Sequence, residues 1–464
     1  MSHEEAFQAL KDGDLRMAIP LLEHAVRETS YSSDVLNQAY TQALYRAGEN
    51  TRLANAAFEI GDSLVETDPA LAMDYFQRAF LGGLDASCVR HVGEIFEQWA
   101  APKPRRKKSA RKRVAKVAHV VGSLASEHAP ARHVSMLVKS LSQQGVESRV
   151  FTTEWSSSWF FNTPGLPSSQ PSGLVPDAVI ASVHGNFNER AERIASAVRE
   201  YGAQAAFFHG DLSEQITARV ASHRPASIQV SVAHAAEMEP NLFDGYIHFT
   251  THSLAATRHP GIPAVCISPA SDIAERMKGL PSNMRTLMGL DAAGTVSATL
   301  GDMRNATDSR FLEVLSGILN ALPGHYHLFA GTGDVKEIRA HFHAEGVLPR
   351  VRFMGSMADA PSVLAIADIY LAPFLDSNDG ALLEAMGAGR PCVVLDTPGN
   401  SAVERLGVRE LLTRSVSAYT QTAERLLRDV GERNRCAERV QSRFRSEFHP
   451  DLLGQRYLDF LRQL

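Results

Sequence analysis

This chain of 464 residues is poor in the features that would place it outside the cell or in a membrane. Its four cysteines, Cys88, Cys266, Cys392 and Cys436, stand singly. No CxxC pair or His-containing ligand spacing surrounds them, which excludes a disulfide framework and a sequence-local zinc site and predicts reduced, buried thiols. No window approaches the roughly 18 consecutive apolar residues of a membrane span, and the opening Met-Ser-His-Glu-Glu has no signal-peptide pattern. The expectation is a cytoplasmic protein without a transmembrane segment. An Asp-x-Asp metal motif is also missing from residues 114–464, so no metal or other cofactor is expected to be required.

Basic charge is scarce except in one place. The net charge is −5, yet nine of the fourteen residues from Lys103 to Lys116 are Lys or Arg, and the remainder holds 38 basic against 52 acidic residues, a balance of −14. The run has too little apolar content to pack and no interleaved aromatic side chain, so it reads as a solvated tether at 101–113, with nucleic acid not the expected partner. With 44% hydrophobic residues, the rest of the chain can fill about three domains.

Residues 1–100 read as helix after helix. Ala18 and Ala25, and again Ala72 and Ala79, stand seven apart on one face. Asp34 to Asp68 spans one 34-residue helix-turn-helix period, and the segment resembles a short, degenerate tetratricopeptide array offering a concave face to a protein. From Val114 the pattern becomes short apolar runs alternating with amphipathic helices. The first series is Lys116–Val121, Ser148–Thr152, Ala178–Ser182, Ala203–Phe208, Ser227–Val232, Tyr246–Phe249 and Ala264–Ile267. The second is Thr295–Leu300, His325–Ala330, Val351–Met354, Ile369–Ala372 and Cys392–Leu395. Such alternation predicts parallel sheets covered on both faces. The fold class is therefore α/β: two facing Rossmann-like domains at 114–280 and 281–464, preceded by the all-α region, with the last helix returning to the first Rossmann domain. The Ser/Pro/Gly-rich loop 156–176, beside Trp155 and carrying Trp159, Phe160 and Phe161, reads as a lid or acceptor contact.

The most informative stretch runs from Asp376 through Asn378, Gly380 and Glu384 to Gly-Ala-Gly-Arg-Pro-Cys392. A strand, a polar loop, a helix holding Glu384 and a second strand place polar groups at a parallel sheet's carboxyl edge, where nucleotides bind. There a carboxylate one turn into the helix can accept both hydroxyls of a ribose, while first-turn amides face a diphosphate. The implied ligand is a nucleotide sugar. The competing reading leaves Glu384 capping its own helix and Asp376 facing solvent. Gly331-Thr-Gly333 and His209-Gly210-Asp211 at other strand ends read as turns or as further contacts.

On the acceptor side, Glu127-His128-Ala-Pro-Ala-Arg132-His133 comes after the first strand, where an imidazole can take a proton. Arg224-Pro-Ala-Ser-Ile-Gln, His234 and Phe243-Asp-Gly-Tyr-Ile resemble the corresponding strand, loop and strand of glycosyltransferase family 41, the O-linked N-acetylglucosamine transferases and bacterial adhesin glycosyltransferases. The likeness covers 115–415. Ala233 and Ala235 replace that family's Gly and Pro. The resemblance implies a GT-B transferase with His128 and His234 as catalytic candidates, beside His133, which its position after the first strand puts forward. Arg304 stands where the family has a diphosphate-binding lysine, Arg310 is a further candidate, and Glu384 matches its ribose-binding aspartate.

The stretch Glu384-Ala-Met-Gly-Ala-Gly, with Asp376 eight residues before it, also resembles glycosyltransferase family 4, whose members retain anomeric configuration. Two acceptors are thus implied: a protein such as an adhesin or flagellin, bound by the helical repeats, or a growing surface polysaccharide. A non-catalytic repeat scaffold is the third reading. The donor expected is UDP-linked, bound through Arg304, Arg310, Asp376, Asn378, Gly380 and Glu384.

Overall fold

The computed structural model describes residues 3–81, 88, 91–95, 114–122, 124, 129–152, 175, 177–180, 187–210, 215–233, 242–255, 261–291, 293–331, 333–355, 360–375, 379–397 and 401–464. The linker 101–113 and most of the loop 156–176 lie outside them. The chain forms two compact units, one of residues 1–248, 257–265 and 457–464, the other of 249–256 and 266–456.

The first unit begins with five helices: α1 (His3–Asp12), α2 (Leu15–Glu28), α3 (Asp34–Arg46), α4 (Asn50–Leu64) and α5 (Pro69–Leu81). Each packs on the next. Asp14 starts α2 by accepting the Met17 amide at 3.1 Å, satisfying a first-turn donor that no intrahelical carbonyl reaches. The alanines spaced by seven are buried, and a Cβ on Gly61 of α4 would stand 2.7 Å from the Phe76 ring of α5. Small residues are what let these helix axes approach.

The core does not break after the helices. Ala72, Met73 and Phe76 of α5 share one apolar cluster with Ala118 and Val120 of the next strand and with Ala191, Ile194 and Val198 of the helix Phe187–Tyr201. A buried ion pair, Arg190 Nη2 to Asp74 Oδ1 at 2.7 Å, crosses the same seam. Helices and first sheet therefore share one core within a compact unit.

That sheet has seven strands: β1 (Lys116–Val121), β2 (Glu147–Thr152), β3 (Val179–Ile180), β4 (Ala205–Gly210), β5 (Ile228–Ala233), β6 (Gly245–His248) and β7 (Ala264–Cys266), in the order β3-β2-β1-β4-β5-β6-β7. Neighbours such as β1 and β4 run parallel, with Val117 opposite Ala205.

The second unit repeats the plan with β8 (Thr295–Leu300), β9 (His325–Ala330), β10 (Val351–Phe353), β11 (Ile369–Leu371), β12 (Cys392–Leu395) and β13 (Leu412–Thr413), ordered β10-β9-β8-β11-β12-β13. All five pairings are parallel. β13, two residues long, carries no apolar run of its own. In both sheets the winding reverses beside the first strand, between β1 and β4 and between β8 and β11. At such a reversal the connections leave in opposite directions and open a crevice beyond the strands' carboxyl ends. The closing helix Asp451–Gln463 ends in residues of the first unit.

Candidate active site

Arg304 and Arg310 follow β8, and Gly380 and Glu384 follow β11, the two strands that flank the reversal point of the second sheet. Thr299 Oγ1 donates to Leu371 O at 2.8 Å, which fixes the ends of β8 and β11 level. The segments leaving these two strands therefore start from the same edge.

After β8, Gly301 turns with φ +118, and its amide donates to Ala330 O at 2.9 Å. Gly331, just past β9, packs so tightly that a Cβ would stand 1.6 Å from Gly301 O. Only glycine fits there, so the Gly331-Thr-Gly333 segment serves backbone approach between strand ends. Next comes a short 3-10 helix, Met303–Ala306, capped by Asp302, whose Oδ1 accepts the Arg304 amide at 2.9 Å. The same carboxylate takes Arg304 Nη2 at 2.6 Å. Asp308 repeats the arrangement with Arg310, accepting its amide at 2.9 Å and its Nη2 at 2.6 Å. In each pair the arginine's hydrogen bond holds the carboxyl below the usual carboxylate range. The Arg304 and Arg310 side chains are 84% and 61% exposed. Both cations thus stand in solvent with a local counter-charge, which a more highly charged diphosphate can displace.

After β11 comes the helix Asp379–Gly387. Gly380 is exposed in its first turn, while Ala381, Leu382, Leu383, Ala385 and Met386 are buried. Glu384 lies among them with its side chain only 10% exposed. An ionised group in such surroundings needs a partner. Arg276 supplies it: Nη2 donates to Glu384 Oε1, and Nε donates to Asp272 Oδ1 at 2.9 Å. Three residues along the same helix face, a Cβ on Gly387 would come 2.6 Å from Cγ2 of Ile273. Ile273 and Arg276 belong to the one-turn helix Ile273–Arg276, which is docked on the Glu384 helix at two points, one apolar and one ionic. Glu384 is thus tied to a residue outside its own helix. Asp376 and Asn378 lie outside the described residues.

The acceptor-side candidates fare differently. His128 and His234 lie outside the described residues. His133 is buried in the helix Ala129–Gln143, with Nε2 2.8 Å from the Tyr457 hydroxyl. Burial lowers its pKa to about 4, so it is neutral at ordinary pH. His209 is no turn residue either. It sits fully buried in β4, 3.1 Å from His119 Nδ1. Apolar neighbours on the helix and strand faces turned these imidazoles inward.

Arg224, Gln229 and Asp244, from the stretch that carried the family likeness, form a scaffold. Arg224 Nη2 reaches Asp244 Oδ2 at 3.1 Å, that oxygen accepts the Gln229 amide at 2.9 Å, and Gln229 Nε2 donates to Leu242 O at 2.8 Å. Together they pin the segment entering β6 to β5.

Arg276 was not singled out by sequence. Its partner is 108 residues away, and its own neighbourhood offers only an ordinary Asp272-to-Arg276 helix pair. Among the described residues, no group of three or more His, Cys, Asp or Glu is placed to hold a metal ion. Nor is any helix among them long and apolar enough to cross a membrane.

Residues 298–429 match a family model described as glycosyl transferases group 1. Solved structures that share the fold include the following three. An O-GlcNAc transferase variant from Thermobaculum terrenum is 16% identical, with 99% of this chain and 95% of that one covered and a TM-score of 0.57. Anabaena HepE in complex with UDP and glucose is 17% identical, over 75% of this chain and all of that one, at a TM-score of 0.58. Sucrose-phosphate synthase from Thermosynechococcus elongatus is 15% identical, over 75% and 98%, at 0.54. No curated protein sequence matches the chain.

Proposed function

We propose that this chain, a glycosyltransferase of the GT-B type, takes a hexose from a UDP-linked donor and delivers it to a protein acceptor. The observation that carries the donor half is the placement of Arg304 and Glu384 after two adjacent strands that flank a sheet's reversal point. Glu384 accepts the ribose hydroxyls. Arg304, with Arg310 beside it in sequence, balances the diphosphate, and the first-turn amides near Gly380 add donors to it. Asp376 and Asn378, in the preceding loop, contact the sugar. As the glycosidic bond to the diphosphate breaks, the arginines stabilise the charge that develops on the leaving oxygens. No metal is assigned to this step. UDP as the nucleotide carrier is supported by HepE, whose solved complexes contain UDP, glucose and UDP-glucose.

A protein acceptor is supported by the likeness to the Thermobaculum O-GlcNAc transferase, which extends over the helical region as well as both sheets. Helices α2, α3 and α4 also border a small groove of about 200 Å³, lined by Glu23, Arg27, Tyr31, Tyr40, Arg52 and Glu59. The acceptor hydroxyl or amide gives its proton to His128 or His234, and His133 serves packing.

A second reading, a retaining transferase that extends a surface polysaccharide, is favoured by the group 1 match and by the eight-residue spacing of Asp376 and Glu384. One experiment separates the two. The purified protein is incubated with a panel of nucleotide sugars and acceptor lysate, and released diphosphate and intact polypeptide mass are measured. Hexose added to a polypeptide supports the proposal. Label found only in oligosaccharide or lipid, with the donor's anomeric configuration kept, replaces it with the second reading.

A further inference from the structure

We propose that Arg276 is the positioning residue for Glu384, holding its carboxylate oriented so that the site selects a ribose diol. The inference rests on the assignment of Glu384 to the donor's ribose.

Glu384 is the one charged side chain in the stretch Ala381–Met386, and every neighbour in that stretch is buried. A carboxylate in such a setting that loses its cation can swing toward water, and it then no longer accepts two hydroxyl hydrogen bonds in a fixed geometry. Arg276 opposes that swing. Its side chain is 22% exposed, and its guanidinium bridges two carboxylates, with Nε on Asp272 and Nη2 on Glu384. A planar fork tied at both ends has little rotational freedom, so it fixes the Glu384 oxygen it touches. The backbone beneath it is equally constrained, because Ile273 lies against Gly387 where a Cβ has no room. Fixing the carboxylate before the ligand arrives removes an ordering cost from binding.

Arg276 acts through Glu384 and carries no step of the transfer itself. Its effect should therefore appear in ribose selectivity, which a general loosening of the fold would leave unchanged. The test measures calorimetric dissociation constants of the full chain for UDP and for 2′,3′-dideoxy-UDP. The wild-type protein is expected to prefer UDP by about tenfold or more, the size of a lost hydrogen bond or two to a charged group. Arg276→Met should bring that ratio to below about threefold, with dideoxy-UDP bound as in the wild type. Arg276→Lys, which keeps the charge and loses the fork, should fall between. In Glu384→Gln the ratio should already be low, and adding Arg276→Met should lower it no further.

An unchanged ratio in Arg276→Met, or equal weakening of both ligands, overturns the proposal while leaving the ribose assignment of Glu384 intact. A wild-type protein that binds UDP and dideoxy-UDP alike overturns that assignment and the proposal with it. If Arg276→Met does not fold, Arg276→Lys decides: an intermediate ratio supports positioning, and a wild-type ratio overturns it.

Discussion

Gly387→Ala tests the docking on which the donor site depends. In a helix, alanine is favoured over glycine by up to about 1 kcal/mol, so chemistry alone predicts a small gain in stability. The structure predicts the opposite sign. The new Cβ would stand 2.6 Å from Ile273 Cγ2 and 2.9 Å from Phe444 Cζ. Carbon atoms pack best at about 3.5–4.0 Å, so something must move by roughly 1 Å. Ile273 is stiff at χ1 and fully buried, Phe444 is a rigid ring almost as buried, and neither can swing into solvent. Overpacking of this kind costs about 1–3 kcal/mol, which leaves a net loss of about 1–2 kcal/mol. For a unit of this size that lowers Tm by about 3–6 °C.

Gly317 provides the control. It is exposed within the helix Ser309–Ala321, and a Cβ there meets nothing within 4 Å, so Gly317→Ala should raise Tm by about 2–4 °C. Thermal melts of both variants, followed by UDP titration, make the assay. Because the added methyl pushes away the turn that carries Arg276, UDP affinity should also fall in Gly387→Ala and stay unchanged in Gly317→Ala. A Gly387→Ala protein that melts at or above the wild-type temperature refutes the close-approach argument.

Three further outcomes are expected. His133 protonates near pH 6.5 when unfolded and at about pH 4 when folded, so the unfolded state binds the proton first. Stability should therefore be lost as pH falls from 6.5 toward 4, by up to about 3 kcal/mol from this group, and His133→Gln should flatten that slope; identical slopes in both proteins contradict it. Arg190→Met strands the Asp74 carboxylate in the seam between α5 and the first sheet, with an expected loss of about 3–5 kcal/mol; limited proteolysis should release the N-terminal helices early, and Arg190→Met with Asp74→Leu should recover much of the loss. Arg304→Ala removes an exposed side chain, so melting should shift by less than about 0.5 kcal/mol, while UDP binding weakens and uridine binding does not. Equal effects on UDP and uridine would remove Arg304 from the diphosphate.

The strands β1, β8, β9 and β12 were legible because each is a short run buried over nearly its whole length. β1, β8, β9 and β12 begin and end where the sequence pattern placed them. β13 was missed because two residues, Leu412 and Thr413, generate no periodic signal; they are a strand only through pairing with Val394 and Leu395. Histidines after a first strand look alike in sequence whether they face a ligand or a core. The face of the helix Ala129–Gln143, and the Tyr457 hydroxyl supplied from over three hundred residues away, turned His133 inward.

The sequence by itself determined the local facts: where apolar runs alternate with helices, where a carboxylate enters an apolar helix, and where charge is concentrated. These depend on burial and periodicity, which act over a few residues. Only the tertiary structure decided that Arg276 meets Glu384, that Gly301 and Gly331 touch backbone to backbone, and that α5 shares its core with the first sheet. Those contacts join segments far apart in the chain, and their partners are chosen by strand order and packing volume, quantities that no local window of sequence contains.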